Sequence, residues 1–173
     1  MIMTNDASNM GFVGLTPNFP SKVVPVELTS KHVNGNILCK AGSYMAHYGD
    51  VEIETDFDFN PCRACFGGNG FIRQQLKGNG TVFLAATGTI MQKVLEEGEK
   101  IVIDTNCVLA WAETCEMTLQ SAGGCCGMAV GGEGVFNTQL EGPGLVMVQS
   151  MSMEKFKLAC APRPNTVNSR EHE

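Results

Sequence analysis

Residues Gly67 to Val82 read GGNGFIRQQLKGNGTV, and residues Gly131 to Val146 read GGEGVFNTQLEGPGLV. One grid of glycines, Gly67, Gly68, Gly70, Gly78 and Gly80, returns as Gly131, Gly132, Gly134, Gly142 and Gly144. Gln75-Leu76 and Gln139-Leu140 are held between them. The likeness extends outward from the grid. Sliding the chain by 64 positions pairs Asn36–Leu84 with Lys100–Val148 without a gap, and 12 of those 49 pairs are identical. Apolar positions correspond where identity fails, as with Cys39 and Ile103, Val51 and Cys115, or Ile53 and Met117. Before Asn36 the match resumes at an offset of 69, GFVGL against GTVFL, which implies five extra residues in the first copy around TSKHVNGN. The chain reads as a duplicated unit. At this length it does not suit a solenoid repeat, and two copies about an internal pseudo-symmetry axis fit better.

Each copy is written in strands. In DVEIETDFDF, Val51, Ile53, Thr55 and Phe57 alternate with Glu52, Glu54, Asp56 and Asp58, the period of a strand with one dry face and one wet face. KVVPVELT, NILCKA, TVFLAAT, KIVIDT, CVLAWAE, CEMTLQS and GLVMVQSM are similar short runs. The best helical window, IMQKVLEEGEK, is cut by Gly98. Turn signals recur at the spacing of an all-β sandwich or barrel. Pro143-Gly144 suits a type II turn, with Pro at the first central position and Gly at the second, and Asn79-Gly80 is expected to share it. Gly49 aligns with Glu113, so its backbone is expected to be ordinary. The domain layout follows: a disordered segment 1–10, a single β domain 11–160 and a disordered tail 161–173. The domain divides into units at about 11–79 and 80–148, closed by a last strand that ends at Cys160.

With 43% hydrophobic and 17% charged residues, the composition is that of an ordinary globular chain. A net charge of −6 with no Lys or Arg block argues against nucleic acid as a partner. No apolar run is long enough to cross a bilayer, and MIMTNDASNM has neither a secretory nor a transit pattern. That start points to an intracellular chain with reduced thiols.

GEKIVIDT, LAWAE, the glycine grid and GPGLVMVQS together resemble the altered-inheritance-of-mitochondria family, twenty-fourth member, and its bacterial relatives of unknown function. The similarity runs from about Gly11 to Ser152. It implies a fold like that of the tryptophan RNA-binding attenuator protein, a β-sandwich related to the double-stranded β-helix. It also implies a homo-oligomer, with a trimer favoured over a dimer. Eukaryotic members are associated with mitochondria and with inner-membrane organisation, so a eukaryotic source with a longer N-terminus would imply a mitochondrial location, and otherwise a cytoplasmic one. Typical members carry a further β segment before the point matching Gly11, where this chain has ten residues. The family has no established catalytic residues to carry over.

Candidate chemistry is sparse. Cys62 and Cys65 have half-site zinc spacing, and Cys125 and Cys126 lie in the matching loop of the second copy, so four thiols would meet if the loops converge. Adjacent cysteines rarely share one ion, so no metal and no cofactor is expected. Cys39, Cys107 and Cys115 fall in strand-like runs and are expected to act as small core hydrophobes. His32 and His47 are too far apart for a cupin-type site, and His47, aligned with Trp111, is expected to be partly buried. Glu52 and Glu116 lie on the polar beat of their strands. Gln75 and Gln139 are expected to act as structural amides that tie strand ends together. Met147, Met151 and Met153, beside Leu145, offer a methionine-rich surface suited to an interface. The function these features imply is a non-enzymatic homo-oligomeric scaffold or assembly factor, supporting membrane-associated complexes from the soluble side. The alternatives are a small-molecule-binding or cupin-like protein, and a zinc or thiol protein built on the four loop cysteines.

Overall fold

A computed structural model of the chain describes residues 3–4, 10–57, 72–121, 136–152, 156–157 and 160–161. The protein is all-β. Ten strands follow in order: β1 (Lys22–Glu27), β2 (Asn36–Lys40), β3 (Tyr44–Phe57), β4 (Ile72–Ala86), β5 (Ile90–Leu95), β6 (Lys100–Asp104), β7 (Val108–Ala112), β8 (Glu116–Ser121), β9 (Phe136–Glu141) and β10 (Gly144–Gln149). The window that most resembled a helix is therefore β5 and the start of β6, with Gly98 in the turn between at φ +74°.

All pairings are antiparallel. Seven strands form one sheet in the order β1-β4-β2-β7-β10-β5, with β3 laid along the other side of β4. β6-β9-β8 form a second sheet. Among the described residues β1 pairs only with β4, which explains how it tolerates Pro25: an edge strand can lack one donor. The sheet centre is β2 and β7, joined through Ile37↔Ala112, Leu38↔Trp111 and Cys39↔Ala110. Every residue of β7 is buried, because a core lies on each face of this pair. Ile37, Cys39, Leu109 and Ala110 pack into one core with Leu76, Val82 and Leu84. Leu38, Val108, Trp111 and Ala112 pack into the other with Leu95, Leu140 and Val146. Strands covered on both sides read as continuous apolar runs, as NILCK and VLAWA do.

Strand positions 64 residues apart correspond closely. β2 at 36–40 matches β6 at 100–104, β3 at 44–57 matches β7 and β8, and β4 at 72–86 matches β9 and β10. Register corresponds too. Ile53↔Leu76 answers Met117↔Leu140, and His47↔Val82 answers Trp111↔Val146. Before Asn36 the ladder sets a different offset from GFVGL. Leu28 donates its backbone N–H to Gly80, and Leu95 pairs with Gly144, positions 67 apart. The extra length is three residues, 29–35 against 96–99, rather than five.

Neither Asn79-Gly80 nor Pro143-Gly144 forms a type II turn. Gly78, Asn79 and Gly80 run inside β4, opposite Val51, Asp50 and Gly49. A Cβ on Gly78 would stand 2.2 Å from Asp50 O, and one on Gly80 2.3 Å from Tyr48 O. Gly49 is no ordinary position either: its φ is +100°, and a Cβ there would lie 2.7 Å from Asn79 O. Glycine is used here so that two backbones can touch. Gly142-Pro143, joined by a cis peptide bond, sits between β9 and β10, and Gly144 has φ +148° rather than the value near +80° that a type II turn needs.

Three further expectations change. β10 ends at Gln149, while Phe156, Lys157 and Cys160 are helical, so no strand reaches Cys160. Met147 is fully buried in the first core and offers no surface. Ile53, on the apolar beat of β3, is still 40% exposed.

Candidate functional site

The two halves of the chain meet where β2 lies against β7, and a small polar cluster closes one end of that seam. Glu113 follows the last residue of β7. Its carboxylate accepts a hydrogen bond from Asn36 Nδ2 at 2.5 Å and another from Gln75 Nε2 at 3.1 Å. Asn36 opens β2 and Gln75 lies within β4, so one carboxylate grips two strands of the other half. The backbone N–H of Glu113 also donates to Asn36 O at 3.4 Å. Hydrogen bonds to a charged acceptor are the stronger kind, and here they fix where the seam ends. Asn36 Oδ1 is buried and has no hydrogen-bond partner among the described residues. Two amides and a carboxylate can position a chain. Gln139 holds the corresponding place on β9, half-buried, across from Val102 and Thr118.

Cys62, Cys65, Cys125 and Cys126 lie outside the described residues, as do Gly67, Gly68, Gly70, Gly131, Gly132 and Gly134. Among the described residues no group of three or more His, Cys, Asp or Glu side chains could hold a metal ion. Cys39 is fully buried, and burial pushes its thiol up to about 12. Cys115 is also buried, its thiol raised by the same cause, with Sγ 3.6 Å from Pro143 O. Cys107 is half-buried and Cys160 exposed.

His47 is exposed on β3, contrary to the expectation drawn from its alignment with Trp111. The reason is its neighbours. Trp111 has strands on both sides, whereas among the described residues β3 has β4 on one side only. His47 Nδ1 instead shares a hydrogen bond of 2.8 Å with Tyr44 Oη. Glu52 and Glu116 are both exposed, as their beat implied.

A buried amide that the sequence reading passed over is Gln149. Its Oε1 accepts from the backbone N–H of Thr87 at 3.0 Å and from Thr87 Oγ1 at 3.3 Å. Thr87 Oγ1 also lies 2.5 Å from Met151 O. These bonds tie the segment after β10 to the turn between β4 and β5. The available signal was a glutamine closing the apolar run GLVMV, where an unpaired amide would be costly.

Comparison with known proteins adds what this geometry leaves unnamed. A family model described as mitochondrial biogenesis AIM24 matches residues 1–151. The chain belongs to this family. An uncharacterised protein of Streptococcus pyogenes serotype M6 is 30% identical over 147 residues, covering 84% of this chain and 56% of its own. A crystal structure of a Streptococcus pyogenes protein superposes with a TM-score of 0.66 at 25% identity, covering 83% of this chain and 60% of that one. The AIM24 chain thus spans less than two thirds of the length of these relatives. Among the described residues no helix is long and apolar enough to cross a membrane.

Proposed function

We propose that this AIM24 chain is a non-enzymatic homo-oligomeric β-domain that serves as a scaffold or assembly factor. The observation that carries this reading is the apolar surface left on its strands. Tyr48 is 79% exposed, Val102 54% and Met91 50%, and each stands on a strand whose sheet edge is open among the described residues. Single exposed hydrophobes are commonplace, but large ones repeated along unpaired edges favour recruitment of another strand. Symmetric self-association is the usual way soluble chains satisfy such edges. The organelle in the family's description is not carried over, since the relatives matched here are bacterial.

Light scattering on the 173-residue chain at micromolar concentration tests the reading. The expected mass is that of a trimer, well above the 18.6 kDa of one chain. A single-chain mass across the concentration range would overturn it.

A further inference from the structure

The seam between β2 and β7 is a junction with two open counterparts. Sixty-four positions after β2 comes β6, and sixty-four positions before β7 comes Tyr44–Tyr48, the first part of β3. Among the described residues β6 pairs only with β9, and this part of β3 pairs only with β4. Their inner sides are already built like the seam. β6 meets β9 through Ile101↔Leu140 as β2 meets β4 through Ile37↔Leu76. Tyr44 to Tyr48 meets β4 in the register that β7 uses with β10. Even the irregularity of the ladder falls at the same place, between Tyr44 and Ala46 and between Met147 and Val148.

The outer sides differ in cover and in the residues they carry. Leu38 of the seam is 8% exposed, and its counterpart Val102 is 54% exposed. Ala112 is fully buried, and its counterpart Tyr48 is 79% exposed. These are the two halves of one strand-to-strand contact, each presented by the same molecule and neither filled by it among the described residues.

Resting on the homo-oligomeric reading above, we infer that a second copy of this chain lays Tyr44–Tyr48 antiparallel against β6. Transferring the seam register places Ile101 opposite Tyr48, Val102 opposite His47 and Ile103 opposite Ala46. The sheet β8-β9-β6 of one copy then continues into β3-β4-β1 of the next, as β3-β4-β2 continues into β7-β10-β5 inside the chain. The occupant is a copy of this chain because the edge it offers has the spacing of the strand that fills the site internally. Tyr and Met, which this segment carries at Tyr44, Met45 and Tyr48, are favoured at protein interfaces. The contact is head-to-tail. Every copy offers a β6 edge and a β3 edge, so addition continues and ends where the rotation closes a ring.

The test uses the full chain as two differently tagged variants, His47→Cys and Val102→Cys, co-expressed and mildly oxidised. Directly opposed strand positions bring Cα atoms to about 5 Å, within the span that a disulfide bridges. Peptide mapping by mass spectrometry is expected to show a 47–102 link, which can form only between copies because neither variant carries both thiols. Val102→Glu and Tyr48→Glu, each at an exposed position, are expected to yield single chains by light scattering with an unchanged β-type circular dichroism spectrum. An oligomer that forms no 47–102 link and persists in both glutamate variants would overturn this junction while leaving the homo-oligomeric reading intact. A wild-type monomer would overturn both.

Discussion

The paired strands β3 and β4 and their counterparts 64 positions later solve one bending problem in two ways. β3 and β4 run unbroken for 14 and 15 residues, and they cross most closely where Gly49 faces Gly80 and Val51 faces Gly78. With no Cβ on three of those four residues the ribbon bends without losing its ladder. In the second half the position of Gly49 is Glu113 and that of Asn79 is Pro143. Glu113 brings a side chain, which turns away to hold Asn36 and Gln75. Pro143 brings no N–H, so the ladder cannot pass through it. The long strands accordingly split into β7 and β8 and into β9 and β10, and the pieces join different sheets. Two substitutions in a shared glycine pattern separate a bent ribbon from a corner.

Loss of those glycines should break the comparison most severely. Gly78→Val and Gly49→Val each force a Cβ onto backbone atoms at a positive φ, at 2.2 Å from Asp50 O and 2.7 Å from Asn79 O. Backbone strain and overpacking together should cost about 3 kcal/mol or more. Gly144→Val should cost less, about 2 kcal/mol. Its Cβ would meet Thr114 Oγ1 at 2.6 Å and Cys115 Sγ at 2.7 Å, side-chain atoms that can rotate aside, with the fixed Ala112 Cβ further off at 3.0 Å. Urea denaturation of the three variants gives the ranking. A larger loss for Gly144→Val would show that the corner, and not the ribbon, is the tighter crossing.

The cores of the two halves can be told apart by alkali. Cys39 faces the first core where the second half has Ile103, and burial lifts its thiol to about 12. A raised folded pKa favours the protonated form. Its contribution to stability is therefore whole below the unfolded value near 9 and is lost as pH rises from there through about 12. Alkylation of the native protein at pH 9 should label exposed Cys160 readily and Cys39 only at the rate of unfolding. Cys39→Val should remove part of the alkaline loss of stability. Rapid native labelling of Cys39 would contradict its burial.

The smallest effect concerns a charge that the halves do not share. Glu52 faces Lys77 across β3 and β4, whereas Glu116 faces Glu141 across β8 and β9. Like charges directly opposed are unfavourable, so Glu116→Lys should raise the melting temperature by about 1 °C. A fall would mean that the ion pair of Lys100 with Glu141, at 3.0 Å, already neutralises that side and resents a second cation.

The linear chain determined a good deal. Alternation in KVVPVE, DVEIET and GLVMVQ required strands, and NILCKA, KIVIDT, CVLAWAE and CEMTLQS match β2, β6, β7 and β8 to within a residue. But β3 and β4 begin six and nine residues before DVEIETDFDF and TVFLAAT, and β5 and β9 were not marked as strands. Periodicity is a local property, so it survives without knowledge of the fold. Gln75 was legible as a strand tie because a polar side chain between glycines on a half-buried strand needs a partner. The partner was not legible: Glu113 lies 38 residues away and is brought near by the pairing of β2 with β7. Burial was also out of reach wherever it depends on neighbours. His47 and Trp111 occupy corresponding positions on similar strands, and one is exposed and the other buried because, among the described residues, β7 has strands on both sides and β3 on one. The same holds for the glycine grid. Its glycines recur in both halves, but whether they make a bend or a corner depends on what stands opposite, and Pro143 and Glu113 decide that only once the strands are side by side.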